Sequence, residues 1–235
     1  MKALILAAGF GSRLAPITDT VPKSLVPVNG KPILFKQIDN LLANGISDIT
    51  VVSGYKADAL AKAVNDNYSG IKIIESVDYA TTNNMYSAYL GIGEVGTDGF
   101  LMMNADVFYD ESVIKALLEC PAPNAIVTDI GNYNEESMKV IEKDGRLVEI
   151  AKTITKEDAL GSSIDVYKFD SVGATAFYNK CKEYIVEKEE LKKWSEVALN
   201  DILCDVEFKA CKLVGRWFEI DNHDDLAAAQ KLFAD

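Results

Sequence analysis

The sequence predicts an α/β fold in which a mostly parallel sheet is flanked by helices on both faces, with a small β-hairpin and helix elaboration in its second half. Three observations predict it. Short apolar runs alternate with helical periodicity as far as residue 119, the pattern of successive strand–helix units. After residue 124 that rhythm gives way to a hairpin signal. The chain of 235 residues is 49% apolar, 9% aromatic and 26% charged, which suits one large domain with a substantial core and excludes wholesale disorder.

Taken in order, residues 3–7 form a buried first strand, and 32–44 a helix with Leu34, Ile38, Leu41 and Leu42 on one face. A strand at 48–53, a helix at 57–66 and a strand near 71–75 follow. Residues 84–93 are helical, 100–103 form a wholly apolar strand, and 111–119 form a helix carrying Val113, Ile114, Leu117 and Leu118. Val140-Ile141, Asp144-Gly145 and Leu147-Val148 then spell a hairpin with a tight turn. A strand at 162–169 precedes a helix at 171–188, with Phe177, Cys181, Tyr184 and Ile185 inward. A short helix at 194–203, strands at 205–211 and 217–220, and a helix at 223–234 complete the chain. No internal repeat or Gly-, Pro- or Ser-rich linker interrupts it, so residues 1–235 are expected to form a single domain.

Composition narrows the function. With 24 basic against 36 acidic residues, the net charge is −12. A field of that sign repels nucleic acid and anionic membrane, so neither is an expected partner. No apolar run approaches the ~20 residues that span a bilayer. The N-terminal run breaks at Gly9, with Arg13 soon after, so it reads as a strand and the protein as cytoplasmic. Cys120, Cys181, Cys204 and Cys211 form no CxxC and His223 is the only histidine, which argues against a zinc cage and for free thiols.

The segment Leu6-Ala7-Ala8-Gly9-Phe10-Gly11-Ser12-Arg13-Leu14, with Pro16, Thr18 and Pro22-Lys23 after it, carries the strongest signal. Small residues directly after a first strand let backbone approach a ligand, and their N–H groups can cradle phosphate. Arg13 and Lys23 add dense positive charge suited to a triphosphate. The dinucleotide loop of Rossmann folds needs a third glycine where Leu14 stands, and the Walker A loop needs a Gly-Lys-Ser/Thr that does not occur.

This segment, with Val28-Asn29-Gly30-Lys31-Pro32 after it, resembles the signature of nucleotidyltransferases that activate sugar phosphates and alcohol phosphates. The resemblance covers nearly the whole chain and implies a Rossmann-like fold, with a nucleotide-binding part of about 1–123 and an acceptor-binding part of about 124–235. It implies attack of an acceptor phosphate on the α-phosphorus of a nucleoside triphosphate, with pyrophosphate leaving. It also implies that Leu6, Ala7, Ala8, Gly9, Gly11 and Ser12 lie along the nucleotide, and that Arg13 and Lys23 hold its phosphates as catalytic residues. Asp106, in Asn104-Ala105-Asp106, and Asp221, in Phe218-Glu219-Ile220-Asp221, fall where the family places its Mg²⁺ carboxylates.

The residues suit that chemistry. Asp106 follows an apolar strand at its carboxyl end, where open parallel sheets bind ligands. Strand alternation puts Glu219 and Asp221 on one face. Two carboxylates from distant segments beside a triphosphate match the way Mg²⁺ is held. The alternative for Asp221 is a helix N-terminal carboxylate, because Asn222-His223-Asp224-Asp225 reads as a cap. His223 either supports Asp221 by a hydrogen bond or belongs to that cap. An acceptor phosphate, with a second pKa of ~6, needs alignment and charge neutralisation and no general base.

The middle segment Tyr79–Leu90 departs from the sugar-activating branch and looks more like the bacterial phosphocholine cytidylyltransferases. Asn83 and Asn84 offer the donor and acceptor a cytosine edge requires, or cap the helix that starts there; Ser87 joins them in the expected nucleotide site. CTP is therefore the expected triphosphate. Asp165 stands where the sugar branch often has glycine, and suits a cationic acceptor. Trp194 and Glu196 could add an aromatic face and a carboxylate for an amine or quaternary ammonium, and Tyr86 and Tyr89 could do likewise; core packing is the alternative for the rings. Lys139 and Lys152 flank the hairpin; enzymes that the chain resembles place lysines in this region to hold the acceptor phosphate, which implies Lys152 as the contact, with a solvated face as the alternative. The expected activity is Mg²⁺-dependent transfer from CTP to a small phosphorylated or phosphonylated alcohol, phosphocholine-like or amine-bearing. A sugar 1-phosphate uridylyl- or thymidylyltransferase is the enzyme alternative, and a nucleotide-binding regulatory module the non-catalytic one. A dinucleotide-dependent oxidoreductase is weakened by Leu14.

Overall fold

The computed structural model describes residues 1–234. In chain order the elements are β1 (Lys2–Ala7), β2 (Pro27–Val28), β3 (Lys31–Pro32), α1 (Ile33–Ala43), β4 (Ile49–Ser53), α2 (Ala57–Asn67), β5 (Lys72–Glu75), α3 (Asn84–Val95), β6 (Phe100–Asn104), β7 (Val107–Tyr109) and α4 (Ser112–Glu119). The second half adds β8 (Ala125–Ile130), β9 (Lys139–Lys143), β10 (Arg146–Ala151), β11 (Gly161–Phe169), α5 (Ser171–Lys182), α6 (Ser195–Ile202), β12 (Lys209–Lys212), β13 (Trp217–Glu219) and α7 (His223–Leu232).

A nine-stranded sheet runs β10-β9-β11-β6-β1-β4-β5, with β8 on β11 and β12 on β8. Its centre, β6-β1-β4-β5, is parallel. Alternation along β1 sends its side chains to two cores. Leu4 and Leu6 face α3, α5 and α6, whereas Ala3, Ile5 and Ala7 face α1, α2 and α4. Packing is tight enough that a Cβ on Gly91 of α3 would lie 2.4 Å from Leu4. A third core beneath the glycine loop joins Leu14, Val26, Ile33 and Phe108 to Ile220 and Leu226. No helix among the described residues is long and apolar enough to cross a membrane.

The expected hairpin is present as β9 and β10, turning through Asp144 at φ 51° and Gly145 at φ 75°. Four features differ from expectation. The ribbon β2–β3, the three-residue β7 and β8 carry runs too short, or too near the change of rhythm, to signal strands alone; pairing with β3, β13 and β11 defines them. Residues 205–208 are not strand, because Val206 and Phe208 turn into the core before β12 begins. The helix at 171–188 ends at Lys182 and continues as a wide turn over Glu183–Glu187. The last helix stops at Leu232.

Candidate active site

The carboxyl ends of β1, β4 and β6 open onto one side of the sheet, the edge where open α/β sheets bind ligands. There the chain encloses a cavity of about 430 Å³. Along its wall lie Leu6, Ala8, Gly9, Arg13, Asn83, Asn84, Ser87, Asp106, Lys152, Asp165, Trp194, Glu196 and Asp221, so most of the expected residues converge.

Four expected residues do not line it. Ala7 and Lys23 lie behind it, around a smaller recess shared with Leu6, Gly9, Ala105 and Asp106. Gly11 and Ser12 line neither space. Gly11 has a packing role: at φ 63°, a Cβ there would lie 2.6 Å from Lys23 Cβ, so its lack of a side chain admits the lysine stem. Ser12 opens the short helical turn that carries Arg13.

A small ribbon assembles the charged centre. β7 starts one residue after Asp106, and β13 pairs with it antiparallel, Glu219 opposite Val107. Ile220 N–H donates to the Asp106 carbonyl at 2.9 Å. Asp106, Glu219 and Asp221 are thereby gathered, each with a carboxylate oxygen within 4.8 Å of the others. Lys23 Nζ donates to Asp106 Oδ2 at 2.9 Å and to Asp221 Oδ1 at 2.6 Å, and an Arg13 guanidinium nitrogen lies 2.8 Å from Asp221 Oδ2.

The electrostatics follow. Burial alone would lower the Lys23 pKa, but Asp106 and Asp221 outweigh it and hold the ammonium above its ordinary value. Burial and the neighbouring Asp106 and Asp221 push Glu219 up to about 7. Burial likewise opposes ionisation of Asp221, yet Lys23 and Arg13 hold it below the usual carboxylate value. Asp106 Oδ1 is buried without a hydrogen-bond partner. Three convergent carboxylates, one with an open oxygen, fit a hard divalent cation.

The helix cap leaves Asp221 free for this work. Asn222 caps α7, its side chain accepting from Asp225 N–H at 3.0 Å, while Asp225 accepts from the backbone of Asp221 and Asn222. His223 does not support Asp221; its Nε2 meets the Ala15 carbonyl at 2.7 Å.

At the other end of the cavity Asn83 is the N-cap of α3, accepting from Asn84 N–H at 2.8 Å. Asn84 joins α3 to α6: its Oδ1 accepts from Ser195 N–H at 2.8 Å, and its Nδ2 faces Glu196 at 3.5 Å. Ser87 is buried against the cavity wall. Lys152 lines the cavity with its ammonium 5.0 Å from the Trp194 ring centre, so it covers the face expected to serve a ligand cation. Lys139 is wholly buried, donating to the Glu135 carbonyl at 3.0 Å. Tyr86 and Tyr89 pack against the core.

Sequence reasoning missed several wall residues. Phe10 and Tyr79 pack with ring centres 5.1 Å apart and planes tilted by 57° beside the glycine loop, and Asn104 binds Asp165, as does the buried Tyr167. Glu219 joins the carboxylates, as its alternation with Asp221 signalled. The others carried no local signal, because partners far apart in sequence define them.

Comparison with known proteins gives the family and confirms the fold. The family model described as nucleotidyl transferase matches residues 2–234. The choline-phosphate cytidylyltransferase of Streptococcus pneumoniae is 44% identical over 90 residues, 38% of each chain. Its solved structure, LicC, superposes with a TM-score of 0.81 at 25% identity, covering 99% of both chains. The CTP:phosphoglutamine cytidylyltransferase of Campylobacter jejuni is 27% identical over 249 residues, covering 96% of this chain and 98% of the relative. The 2-aminoethylphosphonate cytidylyltransferase of Lancefieldella rimae is 33% identical over 115 residues, 48% of this chain and 46% of the relative. The chain spans about half the length of several other curated relatives it matches.

Proposed function

The chain belongs to the nucleotidyl transferase family, and from that membership we propose that it is a Mg²⁺-dependent cytidylyltransferase of the cytoplasm. It joins CTP to a small phosphorylated or phosphonylated alcohol and releases pyrophosphate. The observation that carries the reading is one cavity lined by Asp106 and Asp221, which bind Lys23 behind it, and by two further carboxylates, Asp165 and Glu196. Relatives named for phosphocholine and aminoethylphosphonate support CTP and a charged acceptor. The Asp165–Glu196 pair disfavours a neutral sugar.

In this reading the chain is one catalytic unit, its nucleotide part ending near residue 123. Leu6, Ala7, Ala8 and Gly9 lie along the nucleotide, Arg13 and Lys23 hold its phosphates, and Lys152 receives the acceptor phosphate. An acceptor oxygen bonds to the α-phosphorus as the α–β bridging bond breaks, and the electron pair leaves with pyrophosphate. No general base is needed, because the attacking phosphate or phosphonate is already ionised near neutral pH. Asp106, Glu219 and Asp221 would hold the metal. When bound it supplies charge neutralisation on the phosphate oxygens. The protein's own contribution is alignment and preorganised positive charge.

The test is incubation with each nucleoside triphosphate, Mg²⁺ and pooled phosphorylated alcohols, following pyrophosphate. CTP with a charged acceptor should release it fastest. No release from any triphosphate would overturn the reading.

A further inference from the structure

The acceptor end of the cavity holds two carboxylates bound to a single hydroxyl. Tyr167 Oη lies 2.9 Å from Asp165 Oδ1 and 3.0 Å from Glu196 Oε1. Asp165 Oδ2 also accepts from Asn104 Nδ2 at 3.0 Å, and Glu196 Oε2 faces Asn84 Nδ2 at 3.5 Å. A phenol has one proton, so it can donate to only one of the two carboxylates at a time. Among the described residues neither carboxylate forms a salt bridge with lysine or arginine. Glu196 is 3% exposed and Tyr167 wholly buried, so water does little to solvate the Glu196 carboxylate, while Asp165 is half-buried.

The backbone is bent to make this arrangement. β11 shifts register against β8 between Ser163 and Tyr167, and within that bulge Asp165 adopts φ 57°. A bulge re-aims a side chain, and left-handed backbone costs a non-glycine residue about 1 kcal/mol. Strain of this kind persists where the side chain has a task.

The surroundings define the cation. A quaternary ammonium has no N–H and is held by aromatic faces. Here the Trp194 ring carries Lys152, and the other aromatic wall residues, Phe10 and Tyr79, pack together beside the glycine loop. A primary ammonium brings three donors, as a lysine head does.

We propose that Tyr167 is a positioning residue that ties Asp165 and Glu196 into a paired receptor for one primary ammonium group. The acceptor is thus an amino-alkyl phosphate or phosphonate, in preference to a trimethylammonium or uncharged analogue. This rests on the cytidylyltransferase reading for the identity of the site.

The experiment uses three acceptors of one chain length, ending in amine, trimethylammonium or hydroxyl, with CTP and the intact protein. The wild type should favour the amine in kcat/KM by at least ~10-fold. Tyr167→Phe should raise KM for the amine ~10-fold, with kcat and the KM for CTP within about twofold and the other two acceptors unaffected. Glu196→Gln carries the same expectation and replaces it should Tyr167→Phe fail to fold. Equal use of amine and trimethylammonium by the wild type overturns the proposal. So does a Tyr167→Phe effect shared by CTP and all three acceptors. Calorimetric binding of the acceptors without CTP separates the two readings. Selective amine binding with no pyrophosphate from any triphosphate would remove the transferase reading and keep this one.

Discussion

The Lys23 ammonium lies 2.6 Å from the Asp221 carboxylate, and the same nitrogen reaches Asp106 at 2.9 Å, so it stands between two of the residues assigned to the metal. A monovalent cation of the protein's own thus neutralises these carboxylates, and a divalent ion must compete with it. Lys23→Met should therefore bind Mn²⁺ in the absence of nucleotide about 10-fold more tightly than the wild type, read by electron paramagnetic resonance of free Mn²⁺. Equal or weaker binding by the variant would show that the lysine does not compete.

Asp106→Ala removes an oxygen proposed to hold the metal and one partner of Lys23, yet the residue sits just past the end of β6, outside the main cores. Pyrophosphate release should fall by about 10³-fold or more while thermal unfolding remains cooperative. Chelation of Mg²⁺ should abolish release in the wild type. Near-normal turnover in either experiment would move the catalytic centre elsewhere.

At Asp165 stability and specificity point in opposite directions. Glycine would relieve the backbone at φ 57° and remove a half-buried carboxylate whose ionisation Glu196 opposes, so Asp165→Gly should leave the melting temperature unchanged or raise it. The same change should erode the preference for an amine-bearing acceptor over a neutral sugar phosphate. A drop in melting temperature with preference intact would assign Asp165 a structural role only.

The site residues were legible in the sequence to different degrees. Asp106 and Asp221 each end an apolar strand, a local pattern that survives folding, and Glu219 follows from strand alternation. The parallel centre of the sheet was legible for the same reason, since each strand is a short apolar run between helical stretches. Tyr167 was not, because its meaning comes from Glu196, 29 residues away on another element. β8 was hidden too, its identity set by neighbours β11 and β12.

Asn84 has a partner that the sequence did not signal. Its position by the cavity was expected, but its Oδ1 caps Ser195 N–H at the start of α6, next to Glu196. Asn84→Ala should cost about 1 kcal/mol in urea unfolding, the usual size of a lost cap. Because α6 carries Glu196, proposed to bind the acceptor, KM for the acceptor should rise more than KM for CTP. The reverse split would return Asn84 to the base.

Asp110 and Arg216 hold the ribbon that presents Asp221. The guanidinium meets both carboxylate oxygens of Asp110 at 3.0 Å, and Arg216 N–H donates to Oδ2 at 2.9 Å, tying the end of β7 to the start of β13. Burial opposes ionisation of Asp110, but Arg216 outweighs it and holds the carboxyl below its ordinary 3.8. The folded state thus binds this proton less readily than the unfolded chain. The stabilisation is complete above about pH 4 and is lost as pH falls through the depressed folded value. Asp110→Asn should lower the urea midpoint at pH 7 by an amount equivalent to about 1 kcal/mol. The gap between variant and wild type should close as the solution is acidified below pH ~4. A gap that is constant from pH 7 to pH 3 would mean that the contact acts through shape and neutral hydrogen bonds, and that charge contributes nothing to fixing β13.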